Sequence, residues 1–311
     1  MTLFASMPHN PVNYYDRYAK AIKTERIYGE RWLRWAYDNP AGRLAVWLVI
    51  RRAFFSRWYG RKMKRKNSGW RVLPFIGRYD IDWHEFEKSP FDYKSFNDFF
   101  CRALKTGARP IASGEGIAAL PADGRHLAIQ RIDASGGFYA KGERFDLAKL
   151  LGEDSLPEGE RPLTRAFEAG SMLISRLCPT DYHRFHFPVD GVPGETREIG
   201  GWLYSVNPVA LRRNIDYLVR NKRFVTAIES PRFGSVVMVE IGATNVGSVL
   251  QAFVPGRPVA KGAEKGLFSY GGSCVITLFG KDRIRFDDDL AQRGAEQMEV
   301  YAWMGDRLGS A

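Results

Sequence analysis

The residues best suited to acid–base chemistry lie in one short stretch of the chain. His183 and His186 flank an arginine in the sequence DYHRFH at 181–186, and no other two of the five histidines are so close. Imidazole titrates near neutral pH, so one ring can act as a general base while the other donates a proton to a substrate. A His-x-x-His spacing is also compatible with a metal. No third ligand, HExxH motif or cysteine cluster accompanies it, so zinc is the weaker interpretation.

Acyl chemistry also needs a nucleophile and a carboxylate that orients the base. Ser273 is the candidate nucleophile, because two glycines (Gly271 and Gly272) precede it and leave the Gly272 carbonyl accessible. Asp123, in the sequence PADG at 121–124, is the candidate carboxylate. Both patterns are equally typical of ordinary turns, so neither identifies a site by itself.

The elements that must position these residues are predominantly short strands. β-Branched or alternating runs separated by glycine and proline turns occur at 126–132, 235–241, 246–253 and 274–279. They predict a mainly antiparallel β body, with helical patches at 147–151 and 208–221 and a strand end followed by a helix or loose tail at 282–311. Residues 11–70 are predicted to be helical, with a break at Asn39-Pro40. The predicted fold class is therefore α+β: a helical, basic N-terminal region followed by a β-rich body.

The net charge of +11 is confined to the first quarter of the chain. Residues 1–70 contain fifteen Lys/Arg and four Asp/Glu, whereas the remaining residues carry equal numbers of each sign. Within residues 43–66 there are nine basic residues and no acidic one, with Trp47, Ile50, Phe54 and Trp58 at roughly helical spacing. Such a segment predicts contact with an anionic membrane surface. A surface helix packed on its own domain is the alternative interpretation.

Three scattered cysteines exclude a disulfide framework and suit a reducing compartment. The N-terminus shows no secretory signal, and the longest apolar run, at 44–50, is seven residues long, too short to cross a bilayer. We therefore expect a peripheral protein on the cytoplasmic side of the cell membrane.

In this order, the motifs resemble those of the phosphatidylserine decarboxylase family of pyruvoyl-dependent enzymes. The resemblance extends from about residue 12 to residue 285, and the DYHRFH sequence is its most diagnostic part. The matching stretches are 95–102 (SFNDFFCR), 108–111 (ARPI), 121–124 (PADG), 138–142 with 150–152 (FYAKG and LLG), 179–188 (PTDYHRFHFP), 201–208 (GWLYSVNP), 242–248 (GATNVGS), 261–268 (KGAEKGLF) and 271–273 (GGS).

The resemblance implies a proenzyme that cuts itself between Gly272 and Ser273 into a β chain (1–272) and an α chain (273–311). Ser273 would attack the Gly272 carbonyl to form an ester, and β-elimination and hydrolysis would leave a pyruvoyl group in place of Ser273. His186 resembles the base of this step and Asp123 the residue that holds its imidazole. Cys274 stands where threonine is frequent in the family, which makes the rate of cleavage uncertain.

The mature enzyme would form a Schiff base between the pyruvoyl group and phosphatidylserine, and would release CO2 to give phosphatidylethanolamine. His183 resembles the residue that assists decarboxylation or reprotonates the product. The resemblance implies no pyridoxal phosphate and no metal. It also implies a membrane-associating region at 1–110, a catalytic domain at 111–311, a heterodimer of the two chains and a possible homodimer.

Two other functions remain open at this stage. The same chemistry could act on another serine-headed lipid or on a free amino acid, although the basic region favours a lipid. A non-enzymatic basic protein that binds lipid or nucleic acid would explain that region. It would leave the neutral β body without a role, so we expect no nucleic-acid partner.

Overall fold

The computed structural model describes residues 11–132, 139–140, 143–144, 146–244, 249–271 and 273–311. Its elements confirm the predicted α+β class, with most helical residues before residue 101. The strands are β1 (Asn13–Asp16), β2 (Ala21–Thr24), β3 (Ile117–Ala119), β4 (Gly124–Ile129), β5 (Tyr139–Ala140), β6 (Glu143–Arg144), β7 (Ser171–Leu177), β8 (Arg184–His186), β9 (Val192–Pro193), β10 (Arg197–Ile199), β11 (Arg223–Ser230), β12 (Gly234–Ile241), β13 (Val249–Gln251), β14 (Glu264–Phe268), β15 (Ser273–Phe279), β16 (Arg285–Phe286), β17 (Val300–Ala302) and β18 (Arg307–Ser310).

The helices pack at the N-terminal end of the chain and around the sheets. They are α1 (Glu30–Asp38), α2 (Pro40–Ala45), α3 (Ala53–Lys64), α4 (Val72–Tyr79), α5 (Phe96–Phe100), α6 (Leu147–Leu151), α7 (Pro162–Phe167), α8 (Pro208–Leu211), α9 (Tyr217–Arg220) and α10 (Asp288–Ala295). No helix in the described part of the chain combines the length and apolar composition that crossing a bilayer requires.

A ten-stranded sheet forms the centre of the molecule. Its order is β10-β11-β12-β15-β7-β4-β17-β1-β2, with β9 also paired to β11. Every pairing in it is antiparallel except that of β1 with β17. The prediction of a mainly antiparallel body is confirmed.

Both faces of this sheet are covered, which explains why its inner strands are almost continuously apolar. Successive side chains of a strand point to opposite faces. In β15, Val275 and Phe279 join one hydrophobic cluster, while Ile276 and Leu278 join the other. Ser273 shares the parity of Val275 and therefore points to the first face. There it is covered by the three-stranded sheet β13-β14-β8, whose Phe185 and Phe268 belong to the same cluster as Val275.

A fully buried ion pair joins the small sheet to the large one. Lys265 on β14 places its Nζ 2.9 Å from Oε1 of Glu240 on β12. The same Nζ donates to Thr226 Oγ1 and Gln251 Oε1, each at 3.0 Å. Because four strands contribute to this network, it fixes how the small sheet lies on the large one.

Residues 282–311 are integrated into the fold. Of the two predicted alternatives, a strand end followed by a helix is present as β16 and α10, and the loose tail is wrong. β17 lies between β4 and β1 in the central sheet, and β18 pairs with β16 and β3 in a separate sheet. The polar composition misled the prediction, because only short alternating apolar positions such as Val300 and Leu308 enter the core.

The prediction of an all-helical segment at 11–70 is also wrong in its first part. β1 and β2 form a hairpin that extends the central sheet at β17. The predicted break at Asn39-Pro40 is confirmed: α1 ends at Asp38 and α2 begins at Pro40. The Asn39 side chain accepts a hydrogen bond from Ala41 N, and proline is well suited to the first helical position.

The helical region packs directly against the β body. One cluster joins Phe75, Phe96 and Phe99 to Tyr270, and another joins Leu33 and Ala36 to Tyr204 and Val209, among other residues. The boundary at residue 110 stays a prediction, because apolar contacts cross it at both places.

Candidate active site

Strand pairing explains how residues ninety positions apart come together. Ser273, the first residue of β15, pairs with Leu177, the last residue of β7. The chain then leaves β7 and runs directly into the histidine motif at 179–188. The start of β15 and this motif are therefore neighbours, as acyl chemistry between them requires.

Ser273 has the properties expected of a nucleophile kept away from water. Its side chain is buried, and its Oγ has no hydrogen-bond partner among the described residues. Gly271 has a φ of 141°, a backbone conformation that side chains disfavour, so a glycine is required there. Gly272, the other half of the predicted cleavage site, lies outside the described residues.

His183 lies beside the backbone that leads to Ser273. Its Nδ1 donates to the Asp181 carbonyl at 2.9 Å, and its Nε2 is buried with no hydrogen-bond partner in the described chain. Complete burial lowers the pKa of His183 to about 3, and the hydrogen bond to the Asp181 carbonyl and the nearby backbone of Gly271 partly oppose this shift. The ring is therefore neutral at pH 7, with its proton on Nδ1 and a lone pair on Nε2.

His186 lies at the end of β8, the strand that β14 holds in place. Its Nδ1 donates to the Gly262 carbonyl at 2.9 Å. Its Nε2 is buried and, within the described residues, has no partner. Burial lowers the pKa of this histidine as well. His186 is thus also neutral at pH 7, with Nε2 available to accept a proton.

Asp123 does not form the predicted hydrogen bond with His186 in this uncut chain. Its carboxylate instead accepts from Arg109, whose Nη2 lies 2.8 Å from Oδ2, and from the Met304 backbone N at 2.8 Å. A guanidinium is a stronger partner for a carboxylate than a neutral imidazole, because the hydrogen bonds are charge-assisted. Arg109 belongs to the ARPI stretch at 108–111, and its ion pair with Asp123 was not predicted.

A second group of buried charges lies behind Ser273 and was not predicted. Arg176 donates to Glu25 and Glu299, with Nη2 at 2.6 Å from a carboxylate oxygen of each. Arg125 bonds the Asp181 carboxylate at 2.6 Å. An arginine within the apolar run at 171–178 was the one sequence signal for this network, since a charge in a buried strand needs a partner.

A cavity of about 430 Å³ extends from the N-terminal helices to Gly271. Its wall is mostly apolar and includes several aromatic side chains, a few polar ones and the buried Arg176. The lining includes Trp32, Trp58, Tyr59, Tyr270, Asn207 and Thr244. A largely apolar pocket with a few polar groups is typical of a ligand site.

Exposed apolar side chains cluster on the helices around this cavity. The large side chains that solvent reaches between residues 30 and 75 are Trp32, Trp35, Leu44, Trp47, Leu48, Val49, Phe54, Trp58, Trp70 and Leu73. Of the aromatic and aliphatic positions predicted to face a membrane, Trp47, Phe54 and Trp58 are exposed, whereas Ile50 is buried. A patch of this kind, on the most basic part of the chain, is unusual for a surface that faces water alone.

No group of three or more His, Cys, Asp and Glu side chains in the described chain is arranged to hold a metal ion. The predicted absence of a metal stays a prediction.

Comparisons with known proteins show the family of the chain. The model of the phosphatidylserine decarboxylase family matches residues 96–310. A phosphatidylserine decarboxylase proenzyme of Fusobacterium nucleatum is 39% identical over 304 residues, covering 98% of this chain and 99% of that protein. Proenzymes of the same description from Chlamydia muridarum and Clostridium botulinum are 42% and 37% identical, covering 95% and 96% of this chain and 96% and 99% of their own lengths.

Proposed function

Because this chain belongs to the phosphatidylserine decarboxylase family, we propose that it is a carboxy-lyase that converts phosphatidylserine to phosphatidylethanolamine and CO2. The observation that carries the proposal is the environment of Ser273. Its hydroxyl is buried and has no partner in the described chain, and the backbone before it, at Gly271, lines the inner end of an aromatic cavity.

The first reaction in this proposal is self-cleavage between Gly272 and Ser273. Ser273 Oγ attacks the Gly272 carbonyl carbon, the C–N bond breaks, and the amide becomes an ester with a free amino group on residue 273. His186 Nε2 takes the hydroxyl proton of Ser273. This nitrogen is available because the hydrogen bond to the Gly262 carbonyl is made by Nδ1. Elimination of the Gly272 carboxylate and hydrolysis of the resulting dehydroalanine then release ammonia.

The residues around Ser273 fit the pyruvoyl group that this sequence of steps would leave there. That group supplies an electron-accepting carbonyl, which replaces an added coenzyme. The aromatic cavity excludes water from the substrate carboxylate, and a carboxylate loses CO2 more readily in such an environment. His183, neutral and next to Gly271, supplies or accepts the proton at the carbon that loses CO2.

Asp123 keeps a supporting role in this proposal, although its partner in the uncut chain is Arg109. Asp123 lies in the segment that would become the β chain, and its carboxylate accepts a hydrogen bond from Met304 N, in the segment that would become the α chain. This hydrogen bond would help to hold the two chains together. A shift of Asp123 from Arg109 to His186 would provide the orienting carboxylate that the resemblance implies. The proposal therefore expects the ion pair between Asp123 and Arg109 to be present before cleavage and to be replaced by a contact between Asp123 and His186 after it.

The two chains would remain associated after cleavage. The α chain contributes β15, between β12 and β7, and β17, between β4 and β1. Arg176 adds an ion pair to Glu299. Both inner strands would have to leave a ten-stranded sheet for the chains to separate.

The N-terminal helices would bring the site to the lipid. The exposed tryptophans can enter the headgroup region while the basic side chains contact anionic phosphates. The same helices line the cavity, through Trp32 and Trp58, so a lipid could reach Ser273 without leaving the membrane. This arrangement favours a phospholipid substrate over a free amino acid.

The test compares the unmodified chain with S273A and with S269A, a control that removes a nearby serine hydroxyl. We expect the unmodified chain and S269A to yield two fragments and to release CO2 from phosphatidylserine dispersed in detergent. S273A should remain a single 35.3 kDa chain without activity. An intact chain that is active, or activity that depends on added pyridoxal phosphate, would contradict the proposal. Faster release of CO2 from free amino acids than from phosphatidylserine would contradict the choice of substrate.

A further inference from the structure

The stretch 95–102 contacts the segment before Ser273 and also the histidine motif at 179–188. The proposed cleavage and membrane binding give this stretch no role. It contains α5 and is started by Ser95, whose side chain accepts from Asp98 N at 3.1 Å. On one side, Asn97 Oδ1 accepts from Tyr270 N at 3.0 Å, next to Gly271. On the other side, the stretch reaches the histidine motif.

The contact with the histidine motif is made by Phe100 and Arg102. The ring centroids of Phe100 and His183 are 3.8 Å apart. Arg102 Nη2 donates to the carbonyls of Thr180 and Asp181 at 2.9 and 3.0 Å. The Asp181 carbonyl oxygen also accepts from His183 Nδ1, so this one oxygen accepts a hydrogen bond from both side chains.

The charge of Arg102 is buried without a carboxylate of its own. Its guanidinium lies over the rings of Phe86 and Phe99, at 5.0 and 4.9 Å, and only 4% of the residue is exposed. Nε and Nη1 have no hydrogen-bond partner in the described residues. The nearest carboxylates are already bonded to other arginines, Asp181 to Arg125 and Asp123 to Arg109.

We infer that Arg102 is a positioning residue for His183. Through the shared Asp181 carbonyl it fixes the direction of the imidazole, and its charge, together with burial, disfavours a second positive charge on that ring. A carbonyl oxygen has two lone pairs, so Arg102 and His183 can occupy one each and hold the ring at a defined angle. With the proton fixed on Nδ1, the lone pair of Nε2 is available at Gly271. The inference depends on the proposed function only for the step that His183 then performs.

The charges around His183 support this assignment. In its own segment, the Asp181 carboxylate is neutralised by Arg125 from β4, and the uncompensated charge comes from Arg102, after α5. Arg102 acts on His183 in the same direction as burial, lowering the pKa of the imidazole. Phe100 and Tyr270 complete the neighbourhood with uncharged rings.

The test uses S273A, which stays uncut, so that its result does not depend on activity. The His183 ring is followed by NMR in protein labelled with ¹³C-histidine, and its signal is assigned with H183Q. We expect His183 to stay neutral down to about pH 4 in S273A and to titrate at least about one pH unit higher when R102Q is added. R102K, which keeps the charge, should leave the titration low.

R223M is the matched control. Arg223 is a buried arginine that also donates to backbone carbonyls, those of Leu150, Lys149 and Asn221, but it does not contact the histidine motif. R223M should leave the His183 titration unchanged. A folded R102Q protein that titrates like S273A would overturn the inference, as would an equal shift in R223M. If R102Q does not fold, a raised titration in R102K overturns it.

Activity provides a second readout in the chain that retains Ser273. R102Q should lower the rate of decarboxylation more at pH 4.5 than at pH 7, because a His183 pKa raised by about one unit from about 3 brings its protonation into that lower range. R102K should restore the pH profile. An equal loss at both pH values would contradict the electrostatic part of the inference. If the unmodified chain released no CO2, the proposed function would fail while the NMR result still decided the role of Arg102.

Discussion

His183 and His186 are three residues apart but are held by different backbone carbonyls. The Asp181 carbonyl holds His183, and the Gly262 carbonyl holds His186. Both leave Nε2 without a partner within the described chain, and His183 is the one beside Gly271. This difference allows the two rings to act in different reactions.

We predict that H186Q blocks self-cleavage, whereas H183Q leaves more cleavage than decarboxylation. Glutamine keeps a polar group in each position but cannot accept and return a proton. Loss of a general acid–base group lowers a rate by about 10²–10⁴-fold. The measurement is the fraction of cut chain over time together with CO2 release from the cut fraction. Equal loss of both reactions in the two variants would show that the roles are not divided.

The uncut S273A protein should lose stability as pH falls from about 6.5 to 3. Burial lowers the pKa of His126 and of His183 to about 3, so in this range only the unfolded chain binds these protons. The free energy of unfolding should fall by about 1.4 kcal/mol per pH unit for each histidine. Below about pH 4.5 protonation of Glu25 adds to the loss, since Arg176 lowers the pKa of Glu25 to about 2 despite its burial.

Urea denaturation at several pH values measures this slope. H126Q removes one of the two groups, so the slope between pH 6 and 4 should be smaller in S273A/H126Q. A slope that H126Q does not change would show that His126 is not neutral in the folded protein.

The sequence was informative about which residues carry chemistry, and much less about their partners. Ser273, His183 and His186 stand out because their types and spacing suit proton transfer. The partners Arg109, Arg102 and Gly262 could not be inferred from spacing, because strand pairing and loop geometry bring them to the site. The pairing of Asp123 with Arg109 in place of His186 depends on this long-range geometry.

At the scale of elements, the site is assembled by two sheets that meet face to face. β15 carries Ser273 in the large sheet, and β8 carries His186 in the small one. Their relative position depends on the packed phenylalanines and on the buried pair Lys265–Glu240. This pair is therefore a test of how rigidly the two sheets must be joined.

We predict that K265M in the S273A background lowers the free energy of unfolding by about 3–5 kcal/mol, since it leaves Glu240 buried without a positive partner. The double change K265M/E240L should recover most of this loss, because two packed apolar side chains can replace a buried ion pair. Urea denaturation of both proteins measures their free energies of unfolding. A double variant no more stable than K265M would mean that the two residues do not act as a pair.

Elements with a regular apolar pattern were predicted well, as β12 and β15 show. β1, β2 and β17 were missed because each is short, and two of them contain few buried residues. Two of these segments, β1 and β17, are strands because they form hydrogen bonds with strands that are distant in sequence, and their local residue pattern contributes less. The sequence at 282–311 therefore predicted the strand end and the helix but left a loose tail open, and gave no sign of β17 and β18.

At the scale of the whole molecule, charge and exposed apolar surface coincide. The excess of positive charge lies in residues 1–70, and the exposed tryptophans Trp47, Trp58 and Trp70 lie in the same region. The cavity that ends at Gly271 is lined by side chains of this region. The N-terminal region therefore carries both the excess positive charge and the exposed tryptophans, the combination that the proposed binding to a membrane requires.

We predict that W47S/W58S weakens binding to vesicles of phosphatidylglycerol and phosphatidylcholine by about tenfold or more, because two large apolar side chains no longer enter the headgroup region. Sedimentation of S273A protein with the vesicles measures binding. V192S, which alters an exposed apolar side chain of β9 in the β body, is the control and should bind normally. Binding that is unchanged in W47S/W58S, or equally weak in V192S, would contradict a membrane role for this face.

The parallel pairing of β1 with β17 has a practical consequence for any attempt to shorten the protein. Removing the basic region entirely, to obtain a more tractable catalytic fragment, would also delete the hairpin that covers β17. The backbone N–H and C=O groups along Val300–Ala302 would then form an open edge, ready to pair with another copy. Such a fragment should therefore pair and aggregate through this edge more readily than one that keeps residues 11–26.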